Sequence, residues 1–199
     1  TLGYEPAGVV TISIPDAGFE NEMILVPKGS TVRDVLIFFC SRNEMPISPE
    51  DMTEAFLQMF NFTYAENRVY GNTVLELGGT LVGELNPQVV GVVFALYTEE
   101  GGLQYSMVVL PAGSTLGDLA EKLGMTYEDY RWSVNLFGNE VSEDISPDLQ
   151  LVSLYTVEAV QNSLPEVPED PEIESVEVYF NGGLGSSEYP SATFYPDSE

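Results

Sequence analysis

The residue types that most often carry enzyme chemistry are scarce in this chain of 199 residues. It contains no histidine and one cysteine, so histidine-based triads, most zinc sites and the usual general base are excluded. Carboxylates are abundant, and adjacent pairs include those at 99–100, 143–144 and 169–170. Neighbouring residues of an extended strand point to opposite faces, so such a pair does not converge on one substrate atom. The sequence therefore predicts a protein that is not an enzyme.

Metal and cofactor sites also lack their sequence signatures. No acidic run has the alternating spacing of a Ca²⁺ loop, and the phosphate-binding pattern Gly-x-x-x-x-Gly-Lys is absent. Cys40 falls on the apolar face of a predicted helix. That position favours a small buried hydrophobe over the alternative, a reactive thiol. The sequence predicts no cofactor and no metal, and a single cysteine allows no disulfide within the chain.

Charge is the most unusual property of the composition. The chain has 32 acidic and 6 basic residues, a formal net charge of −26. Such a field repels nucleic acid and anionic membranes, because contacts with phosphate need Lys and Arg. Three interpretations stay open: solubility at high concentration, a basic partner whose nucleic-acid groove this chain occupies by mimicry, or a salt-rich habitat. The carboxylates are scattered rather than ordered in rows, which favours solubility over mimicry.

Aromatic residues offer the clearest candidates for contact with another protein. Tyr127, Tyr130 and Trp132 cluster beside acidic residues just before a predicted strand. Packing in the core is one interpretation. The other is an exposed interaction patch, since Tyr and Trp are favoured anchors of protein interfaces.

The elements that must position these residues occur in repeats. Residues 26–35 reappear in pattern at 110–119, and a third copy begins at 195–198. The prolines Pro27, Pro111 and Pro196 are 84 and 85 residues apart. A period of that size indicates tandem domains rather than a solenoid, whose repeats usually span about 20–50 residues.

In the first copy, strands are predicted at 9–14 and 23–26, separated by a turn at 15–18. Thr31 and Asp34 have the spacing of a capping box, and an amphipathic helix follows. Its apolar face comprises Val32, Val35, Leu36, Phe39 and Cys40. A second helix begins at Ser48-Pro49, as an insertion that the second copy lacks.

The second copy follows the same order. Strands are predicted at 92–97 and 105–110, with Thr115 and Asp118 as the cap pair and Gly124 at the helix end. The segment 132–141 is predicted to be a strand that enters a tight turn, and 149–157 a long final strand.

The rest of the chain completes the domain assignment. An N-terminal arm (1–7) precedes repeat 1 (8–90) and repeat 2 (91–160). A linker rich in proline and acidic residues (161–174) follows, and 175–199 form the hairpin of a partial third repeat. Because a lone hairpin is marginal in water, its strand residues Val176, Val178 and Phe180 are further candidates for contact with a partner.

The fold suggested by this order is α+β, with a mixed sheet and a helix packed across it. Pro111-x-Gly-Ser-Thr-x-x-Asp-Leu, followed by the segments 134–141 and 149–155, resembles the β-grasp or ubiquitin-like fold, nearest its sulfur-carrier and ferredoxin-like branch. The functional residues of that branch do not carry over. Gly182-Gly183 is internal rather than a free C-terminus, and an iron–sulfur cluster needs four cysteines. The resemblance therefore implies a fold and no activity.

We therefore predict a non-catalytic structural or protein-interaction protein of a larger assembly, with a virion component (capsid-decorating or tail accessory) as its concrete form. The alternative is an acidic decoy that blocks a basic nucleic-acid groove. The first five residues lack the basic region and apolar core of a signal peptide, and no apolar stretch approaches the length of a membrane helix. The expected location is thus intracellular or in a virion, among protein partners and without nucleic acid or membrane.

Overall fold

The computed structural model describes residues 7–98, 102–141, 144–164, 176–177 and 193–194. It divides the chain into two compact units, 1–164 and 165–199. The first unit contains two five-stranded mixed sheets and three α-helices among its described residues. The predicted α+β class is confirmed.

The first sheet and its two helices occupy residues 7–85 and are called the first repeat from here on. Its elements are β1 (Ala7–Ile14), β2 (Phe19–Pro27), α1 (Val32–Arg42), α2 (Pro49–Met59), β3 (Phe60–Tyr64), β4 (Asn67–Val69) and β5 (Thr80–Leu85). The strand order is β2-β1-β5-β3-β4, with β1 parallel to β5 and the other pairs antiparallel. The first strand follows the period of two expected of a sheet with one covered face, because Val10, Ile12 and Ile14 are buried.

The second sheet occupies residues 89–161 and is called the second repeat. Its elements are β6 (Val89–Thr98), β7 (Gly102–Pro111), α3 (Leu116–Lys122), β8 (Tyr130–Leu136), β9 (Asn139–Glu140) and β10 (Thr156–Gln161). The strand order, β7-β6-β10-β8-β9, and the directions of pairing are those of the first sheet.

Register shows which positions of the two repeats correspond. Ala7 pairs with Pro27 in the first hairpin, and Val89 pairs with Pro111 in the second. Positions on β2 and β7 therefore correspond at a separation of 84 residues, and positions on β1 and β6 at 82. The difference is two extra residues in the hairpin of the second repeat.

Backbone hydrogen bonds repeat as well. The amide of Gly78 donates to the carbonyl of Val9 at 2.7 Å, and the amide of Leu154 donates to the carbonyl of Gly91 at 2.8 Å. Gly78 and Leu154 both have positive φ, 92° and 75°. The same chain reversal thus precedes the last strand of each sheet.

Both predicted capping boxes are present. The Thr31 hydroxyl accepts from the Asp34 amide at 3.2 Å, while the Asp34 carboxylate accepts from the Thr31 amide at 2.8 Å. Thr115 and Asp118 make the same two bonds at 3.3 and 2.8 Å. Each cap satisfies backbone donors that have no partner within the helix, which fixes where α1 and α3 begin.

The apolar faces predicted for the helices form the core. All five residues predicted for the face of α1 are at most 1% exposed, and they share one hydrophobic cluster with the strands of the first sheet. The inserted helix α2 begins after Ser48, as predicted, and its Met52, Ala55, Phe56 and Met59 are buried in that cluster too. A separate cluster fills the second repeat.

The long final strand predicted at 149–157 is wrong. The last strand of the second sheet is Thr156–Gln161, and Gln150 makes only an isolated bridge with Thr115. The chain turns at Leu154, whose φ of 75° is incompatible with a continuous strand. The alternation of Leu149 and Leu151 arises because this segment crosses the start of α3, where the Leu151 amide donates to the Ser114 carbonyl at 3.0 Å.

The predicted linker and third repeat lie largely outside the described residues. Gln161 is the last residue of β10, and the side chain of Leu164 is buried. In the second unit, β11 (Val176–Glu177) and β12 (Thr193–Phe194) pair antiparallel, which the predicted hairpin requires. Val178 and Phe180 fall outside the part of the chain that the structure describes.

Candidate interaction site

The structure brings the three predicted aromatic residues of the second repeat together. The rings of Tyr127 and Trp132 stack with centroids 5.4 Å apart and an interplanar angle of 5°. Tyr130 lies 6.0 Å from Trp132 in a tilted arrangement. The indole Nε1 of Trp132 donates to the Tyr127 carbonyl at 2.9 Å, which holds the indole against the chain.

A short 3-10 helix, Tyr127–Asp129, positions this aromatic cluster just before β8. All three rings are half-buried and pack against the hydrophobic cluster of the second repeat, where Phe94 lies 6.3 Å from Trp132. Burial, and secondarily the charge of Glu128, raises the pKa of the Tyr127 hydroxyl. The two interpretations of the sequence thus meet in one arrangement, since each of the three side chains packs against the hydrophobic cluster and remains partly exposed.

The end of the first unit is tied to the same place. The side-chain amide of Asn162 donates to the Glu128 carbonyl at 2.7 Å, and its backbone amide donates to the Asp129 carbonyl at 2.9 Å. The Arg131 guanidinium donates to the Leu164 carbonyl at 3.1 Å. The aromatic cluster therefore lies beside the point where the chain leaves the two repeats. Of the other candidates, Val176 is in β11, and Val178 and Phe180 are not among the described residues.

Sequence reasoning missed the joint between the repeats, which is built on α2. This helix packs against β6 and β7 of the second repeat. Half-buried Val93, Met107, Val109 and Leu154 pack against the hydrophobic cluster of the first repeat. One signal was available in the sequence, a glycine in the valine-rich run 89–93. A Cβ at Gly91 would overlap the thioether of Met59, which is fully buried, so the close approach of α2 depends on that glycine.

A groove of about 640 Å³ runs between α2 and β7. Asp51 and Glu54 line it from α2, and Lys122 lines it from the end of α3. The Lys122 ammonium donates to the Val109 carbonyl at 2.7 Å. Acidic side chains of the first repeat thus share the groove with a cation of the second repeat.

A smaller groove, of about 350 Å³, lies within the first repeat and is lined by two of the six basic residues, Arg33 and Arg68. Arg33 forms an ion pair with Glu54. The Arg68 guanidinium donates to the Asn61 side chain at 2.6 Å and lies 5.8 Å from the centre of the Tyr70 ring. Both cations have partners within the fold, so the groove is not a dedicated anion site.

Cys40 is a core residue, as the favoured interpretation predicted. Its side chain is 1% exposed in the cluster of the first repeat. Burial raises the pKa of the thiol from 9.0 to about 11, against a smaller opposing effect of a hydrogen bond with Thr53. The thiolate is the reactive form, so the reactive-thiol alternative has no support at this position.

We expect the Cys40 thiol to react with Ellman's reagent at pH 8 about 100-fold more slowly in the native protein than in the urea-unfolded chain, since two pKa units change the thiolate fraction by that factor. Because the folded protein favours the protonated thiol, Cys40 contributes to the free energy of unfolding. This contribution is complete below pH 9.0 and is lost as the pH rises towards about 11. A Cys40→Ala variant should lack this slope in urea denaturation between those pH values. Equal reaction rates for the native and unfolded chains would contradict the burial of Cys40.

Metal and membrane features can be judged for the described residues only. Within them, no three His, Cys, Asp or Glu side chains come together in a group that could hold a metal ion. Of the three adjacent carboxylate pairs named from the sequence, only Asp144 is among the described residues. No helix in the described ranges has both the length and the apolar character needed to cross a bilayer.

Comparison with known proteins adds no assignment. No family model and no curated protein matches this chain.

Proposed function

We propose that this protein is a non-catalytic structural and protein-interaction component of a larger assembly, built from tandem domains of the β-grasp type. The joint between the repeats carries the proposal. Helix α2 is inserted into the first repeat and packs against the first two strands of the second, so the added sequence supplies contact surface between domains.

The β-grasp assignment is supported by the pairing within each sheet. A hairpin leads into a capped helix, the first and last strands pair in parallel, and the third and fourth strands lie beyond the last. Domains of this kind, arranged in series, suit spacers and docking faces. A capsid-decorating or tail accessory protein of a virion is the concrete form that we propose.

The second candidate, an acidic decoy, is favoured by one observation, the excess of 32 acidic over 6 basic residues. Its partner would be a protein with a basic nucleic-acid groove. Attraction of that kind falls steeply as ionic strength rises, whereas contacts through buried apolar surface do not. Salt dependence therefore separates the two candidates.

The test is to isolate the assembly that a tagged full chain forms in its source organism, at about 0.05 and 0.5 M salt. A structural component should stay bound at both salt concentrations with a fixed stoichiometry in native mass spectrometry. A decoy should release a basic partner at the higher concentration. A free monomer at both would overturn both candidates.

The aromatic cluster provides matched variants for the same experiment. Tyr127→Ala removes the ring that stacks on Trp132, whereas Tyr70→Ala removes an exposed tyrosine of the first repeat. If the cluster contacts the partner, the first variant should lose it and the second should retain it. The emission of Trp132, the single tryptophan, reports whether a partner covers this site. If both variants retain the partner equally, the aromatic cluster is not part of the interface.

A further inference from the structure

The outer face of the first hairpin carries three exposed apolar side chains, Val9, Met23 and Leu25, called the outer patch here. They are 39, 66 and 68% exposed. Val9 and Leu25 are direct partners across β1 and β2, and Met23 lies two residues along β2 on the same face. The described residues of the protein leave this patch in contact with solvent.

In the second repeat the corresponding face is covered by the first repeat. In register, Met23 corresponds to Met107, Leu25 to Val109 and Val9 to Gly91. Met107 and Val109 pack against the hydrophobic cluster of the first repeat, and Gly91 admits the Met59 side chain of α2. The positions that α2 and its core cover in the second repeat are therefore the positions that are open in the first.

A basic side chain bonds a backbone carbonyl of the outer hairpin strand in each repeat. Arg42, in the last turn of α1, donates to the Met23 carbonyl, and Lys122, in the last turn of α3, donates to the Val109 carbonyl. In the second repeat this cation lines the groove opposite Asp51 and Glu54 of α2. Each face thus has one of the six basic residues beside it, and the two carbonyls that these cations contact lie two residues apart in register.

A second copy of this chain fits the patch poorly. Its α2 is already covered by its own β6 and β7.

We infer that the outer patch docks an acidic amphipathic helix of the α2 type, supplied by a partner protein. The helix would place apolar residues with helical spacing on Val9, Met23 and Leu25 and an acidic side chain beside Arg42. The inference deepens the proposed function and rests on it, because it identifies a surface through which the assembly forms.

The probe is a synthetic peptide of residues 48–60, which contains α2 and its capping Ser48. It is titrated into the full chain labelled at its methionine methyl groups. We expect the Met23 methyl signal to shift with saturation, while the signals of buried Met52 and Met59 stay in place. The double variant Met23→Glu/Leu25→Glu should bind the peptide at least about tenfold more weakly, since two charges would enter an apolar contact. No shift of Met23 at millimolar peptide would overturn the inference.

Matched controls test whether binding is specific to the outer patch. Val152→Glu places a charge on an exposed apolar residue of the second repeat and should bind the peptide like the parent. A peptide whose Ala55 and Met59 are replaced by aspartate should not bind. Sedimentation equilibrium without peptide tests the other occupant: a dimer that the double variant abolishes would assign the patch to a second copy and overturn the inference.

The outcome also separates this inference from the proposed function. If the assembly isolated with the tagged chain is retained by Met23→Glu/Leu25→Glu, the protein is a structural component and the patch is not its docking face. If the peptide binds but no assembly is found, the proposed function fails and the helix-binding face stands.

Discussion

Replacing Phe39 by alanine is expected to lower the free energy of unfolding by about 3–5 kcal/mol. The ring is fully buried at the centre of the first cluster. It packs edge-on against Phe19 with centroids 4.8 Å apart and tilted against Phe56 at 6.1 Å. Alanine would remove these contacts and leave a cavity between α1, α2 and β2 that the surrounding elements can fill only in part. Urea denaturation followed by far-UV circular dichroism measures the loss.

The adjacent residue is the matched control. Phe38 lies on the same helix but is 43% exposed, so Phe38→Ala should cost much less, within about 1 kcal/mol. The two variants remove the same side chain from neighbouring positions and differ in burial. An equal loss in both would mean that α1 does not present the face that buries Phe39.

Local chemistry made much of each repeat predictable. The capping boxes of Thr31 and Thr115 use residues three positions apart, and the face of α1 follows from helical spacing. These signals depend on a few neighbouring residues, so the sequence alone places them. The repeated motif also indicates how β2 and β7 align, although the two extra hairpin residues of the second repeat shift the position of β6.

Features that depend on distant parts of the chain were not predictable. The need for glycine at position 91 follows only from the packing of α2 on β6, because the missing side chain leaves room for Met59. The segment before β10 alternates like a strand, but the hydrogen bond from Leu154 to Gly91 turns it aside. Local patterning is the same for a strand in a ladder and for a segment that bridges to a helix.

The candidate site was predictable as a set of residues and not as a surface. Tyr127, Tyr130 and Trp132 were identified from their proximity in sequence. Their half-burial depends on the hydrophobic cluster beneath them and on Asn162, which fastens the end of the unit over the 3-10 helix. The outer patch gave no local signal, because Met23 and Leu25 follow ordinary strand alternation. Its proposed role as a docking face follows only from comparison with the corresponding face of the second repeat, which is covered.

Gly91→Val is expected to weaken the joint between the repeats and to lower the free energy of unfolding by about 1–3 kcal/mol. The added side chain would overlap Met59, which is fully buried and has no exit to solvent. Valine is itself acceptable in this strand, since the corresponding position of the first repeat is Val9. The expected loss of stability therefore measures the close packing of α2 on β6 and not the strand propensity of valine.

Two probes distinguish loss of the joint from general loss of stability. Trp132 emission follows the second repeat, and far-UV circular dichroism follows both. In the parent chain the two unfolding curves should coincide, because 1–164 form one compact unit. In Gly91→Val the Trp132 curve should separate from the other. Met59→Ala should partly compensate in the double variant, with a coupling of about 0.5–3 kcal/mol, because it makes room for the valine. Additive losses with coincident curves would show that α2 does not hold the second repeat through the contact of Met59 with Gly91.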